Sequence, residues 1–313
     1  RRSVQAVTVS TFESAMRWMA RIGDRFSLLV VDEVHHLGMG TRSEMLEMSA
    51  ATLRLGLTAT PVTELERADS LRVLIGPTVF QLTVEDLAGH YLAHYEVITL
   101  EIDLSAEERA LYRRETALFR TTYRAFCRLN PDSDWPAFVR AASRTEQGRR
   151  AVAAWRRSRR ILGFTVAKAE LLTDLLERNR QSRVLIFTPD NRTAYAVARR
   201  HLVMPITCDI GAAERDRALR WFREGRIRTL VSSRVLNEGL DVPDADVAVI
   251  VGGTLGAREH TQRIGRLLRP REGKCARIYE LVCRNTGEVY QAQRRRRDLG
   301  TAFTQQAAKR VGG

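Results

Sequence analysis

The chain has 313 residues, long enough for two domains with separate apolar cores, and its 44% hydrophobic and 28% charged residues exclude disorder as a whole-chain description. Its formal net charge of +14 at pH 7 predicts attraction to polyanions, nucleic acid first and a membrane surface second, and the charge alone does not choose between them. The apolar runs are too short to span a bilayer and Arg1-Arg2-Ser3 opens no signal peptide, so no membrane partner and a cytoplasmic location are expected.

The first predicted element is a short strand at Val7-Thr8-Val9, followed by Ser10-Thr11 at a turn and an amphipathic helix from Phe12 to Ile22. Leu28-Leu29-Val30-Val31 and Leu53 to Leu57 are further strands. Up to about residue 100 such strands alternate with helices, the pattern of a parallel sheet covered on both faces.

From Ser105 to Leu162 the composition changes to arginine and helix formers with no convincing strand, which predicts a helical insertion. Phe119, Tyr123 and Phe126 fall at i, i+4 and i+7, with Arg120, Arg124 and Arg128 in a parallel stripe. An aromatic face that docks the helix would leave these arginines outward. There, with the run Trp155-Arg156-Arg157-Ser158-Arg159-Arg160, they could line a nucleic-acid groove, guanidinium against phosphate.

A second α/β stretch follows, with strands at Val184 to Phe187, Thr229 to Val231, Val247 to Val251 and Ile278 to Val282, and a helix over Ala212 to Phe222. After residue 290 comes Arg294 to Arg297, open to reading as a helix end, a disordered arm or a phosphate contact. Cys127, Cys208, Cys275 and Cys283 have neither zinc-site nor disulfide-framework spacing and are expected to be small buried or partly buried thiols.

Four motifs stand in one order along these elements: Asp32-Glu33-Val34-His35-His36, Leu57-Thr58-Ala59-Thr60-Pro61, Asn237-Glu238-Gly239-Leu240-Asp241, and Gln262-Arg263-Ile264-Gly265-Arg266-Leu267-Leu268-Arg269. Their order and spacing resemble the motor core of superfamily 2 helicases. Phosphoryl transfer to water needs a metal on the phosphate oxygens, a carboxylate to position the water, and cations for the developing charge.

Asp32, at the carboxyl end of an apolar strand, is the expected water-mediated Mg²⁺ ligand, and Glu33 the base or water-positioner. His35 is expected to report the nucleotide state and to hydrogen-bond to Thr58-Ala59-Thr60, where Thr58 and Thr60 couple the carboxylates to movement. Arg266 and Arg269, at i and i+3 of a helix, are candidate arginine fingers; Gln262 completes that motif and Arg263 holds the cleft together. Gly239 permits close backbone approach, and Asp241 could orient the ribose or the arginines. Ser10, Thr11, Thr188, Ser232 and Ser233 carry hydroxyls at strand ends, positions suited to phosphate contacts.

Taken together, the motifs resemble the XPB-like branch of superfamily 2 DNA helicases over nearly the whole chain. The resemblance implies an α/β architecture of two RecA-like parallel-sheet lobes joined by a thumb-like helical insertion, using ATP and Mg²⁺ to move on DNA, duplex or fork, with RNA left open. On this reading residues 1–100 are a partial first lobe, 101–165 the basic insertion, 166–290 the second lobe and 291–313 a basic tail.

Two departures qualify it. No Gly-rich loop ending in Gly-Lys-Ser or Gly-Lys-Thr occurs, so the first lobe is expected to be incomplete and the chain a part of a longer motor, inactive alone. Where the family carries Arg-Glu-Asp, this chain reads Thr63-Glu64-Leu65, which makes translocation on duplex an alternative to unwinding. The competing readings are an ATPase-inactive nucleic-acid clamp or assembly module, and the motor subunit of a restriction or defence complex. Nuclease, repair or transcription proteins are the partners these readings suggest.

Overall fold

A computed structural model describes residues 4–37, 43–58, 62, 65–82, 94–131, 133–233, 245–252 and 275–299, with backbone only at 94, 95, 275 and 294–299. Chain contacts divide it into two units, Arg1–Leu82 and Thr83–Gly313.

In the first unit, α1 (Phe12–Ile22) starts where the Thr11 hydroxyl accepts the Ser14 amide at 3.3 Å, satisfying one of the orphan donors of a helix start. β1 (Leu28–Val31) pairs in parallel with β2 (Leu53–Gly56), Leu28 opposite Leu53 and Val30 opposite Leu55. The short helix α2 (Glu44–Glu47) and α3 (Leu65–Leu74) complete this unit's helices among the described residues. Met19, Val31, Val34, Leu37, Met45 and Leu46 form its core, with Leu71, Leu74 and Ile75 packed against them.

Only one face of this sheet is covered by described residues. On the other, Leu28, Val30, Leu53 and Leu55 are 51%, 49%, 62% and 42% exposed, so the expected burial of both faces is met on one. Val7-Thr8-Val9, expected as a strand, pairs with no described strand, and Val7 and Val9 are exposed. β-branched residues favour a strand only where a neighbour supplies the ladder and the packing.

The second unit is built on β3 (His94–Ile102), β4 (Val184–Phe187), β5 (Met204–Ile206), β6 (Thr229–Ser232), β7 (Val247–Ile250) and β8 (Cys275–Cys283). They form one parallel sheet in the order β3-β8-β7-β4-β6-β5. β4 and β7 are buried at every position, as uninterrupted apolar runs require in a sheet covered on both faces. Residues 94–100, grouped by sequence with the first lobe, belong here: β3 pairs with β8 over nine residues, His94 opposite Cys275 through Ile102 opposite Cys283. A strand's own pattern marks that it is a strand and says nothing of which sheet receives it.

Between β3 and β4 lie α4 (Ala106–Leu129), α5 (Trp135–Ser143), α6 (Glu146–Gly163) and α7 (Val166–Arg178). α4 opens with a capping box in which Ser105 Oγ accepts the Glu108 amide at 3.1 Å and Glu108 Oε2 accepts the Ser105 amide at 3.0 Å. Phe119, Tyr123 and Phe126 of α4 pack on Phe138 of α5, with ring centroids 6.1, 4.9 and 5.3 Å away, and Trp135 meets Trp155 of α6 at 4.7 Å. The aromatic stripe therefore docks the helix, and Arg120, Arg124 and Arg128 are exposed.

The sheet is covered by α7 and α8 (Asn191–His201) on one face, through Leu172, Leu175, Ala194 and Val197, and by α9 (Ala212–Arg223) on the other, through Ala218, Leu219 and Phe222. Arg294 to Arg297 lie within α10 (Gly287–Leu299), which resolves the open reading of that run toward a helix.

Candidate functional site

β1 delivers the first motif to the carboxyl end of its sheet. Asp32 is exposed, and its Oδ1 accepts the Glu33 amide at 2.8 Å. Glu33 sits in the left-handed region, φ 50° and ψ 42°, where a non-glycine residue costs about 1–3 kcal/mol. Sequence reasoning missed this, because nothing in the residue type signals that conformation.

A 3₁₀ turn over Val34–His36 then carries His35, 6% exposed, back to the end of β2, where its Nδ1 lies 2.7 Å from Thr58 Oγ1 and 3.3 Å from Glu33 Oε2. Backbone bonds from Val34 N–H to Leu57 O (3.0 Å) and from Leu57 N–H to Val31 O (2.8 Å) hold the two loops in register. A carboxylate, an imidazole and a hydroxyl are thus in direct sequence of contact, as the expected pairing of His35 with the Thr58 segment requires.

Asp32 offers a hard oxygen donor of the kind magnesium prefers. Among the described residues no three His, Cys, Asp or Glu side chains converge on a metal position. Asp32 would therefore serve as a single carboxylate partner to a bound ion, as nothing among the described residues offers a complete ligand set.

In the second unit the carboxyl ends of β4 and β6 bring together Thr188, Ser232 and Ser233, all 0–1% exposed. Thr188 Oγ1 donates toward Ser232 O at 3.2 Å, and Ser233 Oγ donates to Asn191 Oδ1 at 2.5 Å. Asn191 Nδ2 in turn reaches Asp209 Oδ2 at 3.0 Å, and Tyr195 OH meets Thr207 Oγ1 at 2.8 Å. The hydroxyls thus face protein, and Asn191, Tyr195 and Asp209 were not singled out by sequence because their partners are remote along the chain. Ser10 and Thr11 are exposed ahead of α1, with the Thr11 hydroxyl engaged as the helix cap.

A basic groove of about 600 Å³ runs along α4. Arg109, Arg113, Arg120 and Arg124 line one side, and Arg284 and Asn285, after β8, line the other. The stripe expected at Arg120, Arg124 and Arg128 is thereby shifted toward the helix start, since Arg128 does not line the groove. Of the second arginine run, Arg157 remains exposed while pairing with buried Glu115, Nε 2.9 Å from its Oε2, and Arg159 lies over the Trp155 ring at 5.8 Å. Burial pulls the Glu115 carboxyl upward, but hydrogen bonds and charge from Arg114 and Arg157 outweigh it and hold it below the ordinary value.

Cys208 is exposed, contrary to expectation, because it lies on the loop after β5; Cys127 is half-buried and Cys283 buried. Thr60, Gly239, Asp241, Gln262, Arg263, Arg266 and Arg269 lie outside the described residues.

Two families match the chain: the helicase conserved C-terminal domain over residues 167–271 and the type III restriction enzyme res subunit over residues 2–63. The chain is 36% identical over 299 residues to the DNA 3'-5' translocase XPB2 of Sulfurisphaera tokodaii, covering 95% of this chain and 67% of that protein. It is 27% identical over 319 residues to the DNA 3'-5' helicase XPB of Mycobacterium tuberculosis, covering 96% of this chain and 49% of that one, so it spans half to two thirds of these relatives' lengths. In fold it is similar to the Hef helicase domain of Pyrococcus furiosus, with a TM-score of 0.56 at 16% identity over 91% of this chain and 78% of that one.

Proposed function

Because the chain belongs to the XPB family of superfamily 2 DNA helicases and translocases, we propose that it is the larger part of an ATP-dependent DNA motor, one that couples hydrolysis between two RecA-like lobes to movement on DNA. The observation that carries this is the contact chain from Glu33 through His35 to Thr58 at the carboxyl end of the first sheet. Glu33 positions and deprotonates the attacking water. His35 Nδ1 meets both Glu33 and Thr58, so a change at the carboxylate is felt at Thr58 through one ring nitrogen.

Asp32 is the residue that would hold Mg²⁺ through water, and the ion bound with ATP would supply charge stabilisation at the phosphate oxygens. Arg266 and Arg269 are the proposed arginine fingers on the terminal phosphate, with Gln262 in the same motif; Arg263 is proposed to hold the cleft together, Gly239 to permit close backbone approach and Asp241 to orient the ribose or the arginines. Arg120 and Arg124 hold the nucleic-acid backbone, with Arg128 beyond the groove; Ser10 and Thr11 are exposed and are proposed phosphate contacts, whereas Thr188, Ser232 and Ser233 are buried and would shape only their own loops. Thr63-Glu64-Leu65 in place of Arg-Glu-Asp makes translocation on duplex an alternative of equal standing to unwinding. Repair, transcription or nuclease proteins are its proposed partners, and the cytoplasm its proposed location.

The test is ATP turnover with and without duplex DNA, comparing this chain with one extended upstream to the length of the Sulfurisphaera relative. Turnover only in the extended form, lost roughly 10²- to 10⁴-fold in Glu33→Gln as for removal of a general base, is the expected result. DNA binding in both forms with no hydrolysis, unaltered by Arg266→Ala and Arg269→Ala, would overturn it in favour of a nucleic-acid clamp.

A further inference from the structure

Lys168, in the first turn of α7, is fully buried. Its ammonium donates to Leu162 O at 2.7 Å and to both oxygens of Glu288, each at 2.9 Å. Glu288, at the start of α10 and 7% exposed, also accepts the Cys283 amide at 3.0 Å. A Cβ built on Gly252 would lie 3.0 Å from Lys168 Nζ and 3.1 Å from Glu288 Oε1, so the chain leaving β7 rests directly on the pair. Burying two charges costs several kcal/mol of desolvation, and an apolar pair of the same volume is often as stable or more so. Stability alone is a poor explanation for placing an ion pair here.

The contacts around it supply another. Cys283 and Glu288 bracket the turn 284–287 that joins β8 to α10. That turn is bonded to α4 through the Gly287 amide and Tyr112 OH at 3.1 Å, and to the end of β3 through Arg284, 3.2 Å from Glu101 and 3.3 Å from Asp103. The start of α4 is bonded to the start of α7 through Glu108 Oε1 and the Val166 amide at 3.0 Å. A closed ring results: α4, the first turn of α7, Lys168, Glu288, the turn 284–287, and α4 again. The two walls of the arginine groove, α4 on one side and Arg284-Asn285 on the other, are both members of this ring.

We propose that Lys168 and Glu288 are a positioning pair that fixes the spacing of these walls and thereby decides how many phosphates of a nucleic-acid backbone the groove engages together. The proposal rests on the reading that the groove takes nucleic acid. Arg113 to Arg124 span about 16 Å of helix, a length over which one strand presents about four or five phosphates. Simultaneous contact over that length needs both walls held. Neither Lys168 nor Glu288 touches the ligand.

The experiment is titration of a short fluorescent duplex with this 313-residue chain across a series of salt concentrations, alongside thermal melts. In Lys168→Met with Glu288→Leu, apolar replacements that satisfy the site's volume, the melting midpoint is expected within a few degrees of the parent. The slope of log affinity against log salt is expected to become shallower by about 1–2, as each lost phosphate contact removes about 0.9. A folded double variant with the parental slope and affinity overturns the proposal.

Glu288→Asp keeps the charge and shortens its reach, and a slope shallower by about 1 is expected there. A parental slope in that variant overturns the proposal even if the double variant fails to fold. Arg113→Ala, Arg120→Ala and Arg124→Ala combined test the underlying reading separately, with an expected loss of about 2.7 in slope. If that triple variant keeps the parental slope, the groove is not a phosphate site and the failure lies there rather than with the pair.

Discussion

His35 and Thr58 meet across the carboxyl ends of two neighbouring parallel strands, Nδ1 to Oγ1 at 2.7 Å, with the imidazole 6% exposed. Thr58→Val keeps the shape of the side chain and removes the hydroxyl. In the extended, ATP-hydrolysing form it is expected to lower DNA-stimulated turnover roughly five- to tenfold, the equivalent of one hydrogen bond of about 1 kcal/mol. Nucleotide affinity should stay within about twofold, because Thr58 couples rather than binds. Unchanged turnover would reduce the contact to a structural one.

The insertion should unfold when its aromatic centre is emptied. Phe138 is 1% exposed and touches Phe119, Tyr123, Phe126 and Trp135. Phe138→Ala is expected to cost roughly 3–5 kcal/mol in denaturant unfolding and to weaken duplex binding, since α4 loses its dock. A loss under about 1 kcal/mol would mean that the cluster collapses around the gap.

Glu115 gives the insertion a pH dependence of known sign. Its carboxyl is 5% exposed and held below the ordinary value of 4.5, burial being outweighed by Arg114 and Arg157. A depressed folded value means that the stabilisation is present above the unfolded value and lost as pH falls through the folded one. Glu115→Gln should therefore destabilise by about 1–2 kcal/mol near pH 7, the arginines being partly in water. That difference should shrink as thermal melts are repeated from pH 5 downward. A gap that widens on acidification would contradict the assignment.

The described thiols should separate cleanly in alkylation at pH 8 followed by peptide mass mapping. Burial pushes Cys283 up to about 12, with Lys168 pulling the other way, whereas Cys208 is exposed. Cys208 is expected to label first and Cys283 only after denaturation, since the thiolate is the reacting form. Early labelling of Cys283 would show that the end of β8 opens readily.

Much of this was legible in local pattern. The apolar runs at 184–187 and 247–250 became fully buried strands, and the stripe Phe119, Tyr123, Phe126 became a docking face, because strand and helix periodicities are properties of a few consecutive residues. The Asp32-Glu33 motif arrived at a strand's carboxyl end for the same reason.

Other features depended on partners far along the chain. Residues 94–102 joined β8, some 181 positions away, and not the sheet nearest in sequence. The hydroxyls of Thr188 and Ser233 turned inward because the end of β6 and the start of α8 offered acceptors there. Glu33 took a left-handed backbone so that a 3₁₀ turn could bring His35 to Thr58. The sequence by itself determined the family and the central strands and helices, with Val7-Thr8-Val9 as an exception, since these rest on short-range periodicity and residue type. Only the tertiary structure decided which strands share a sheet, which polar groups are spent internally, and that Lys168 would be buried against Glu288, because pairing and desolvation arise between residues 120 positions apart that no local pattern connects.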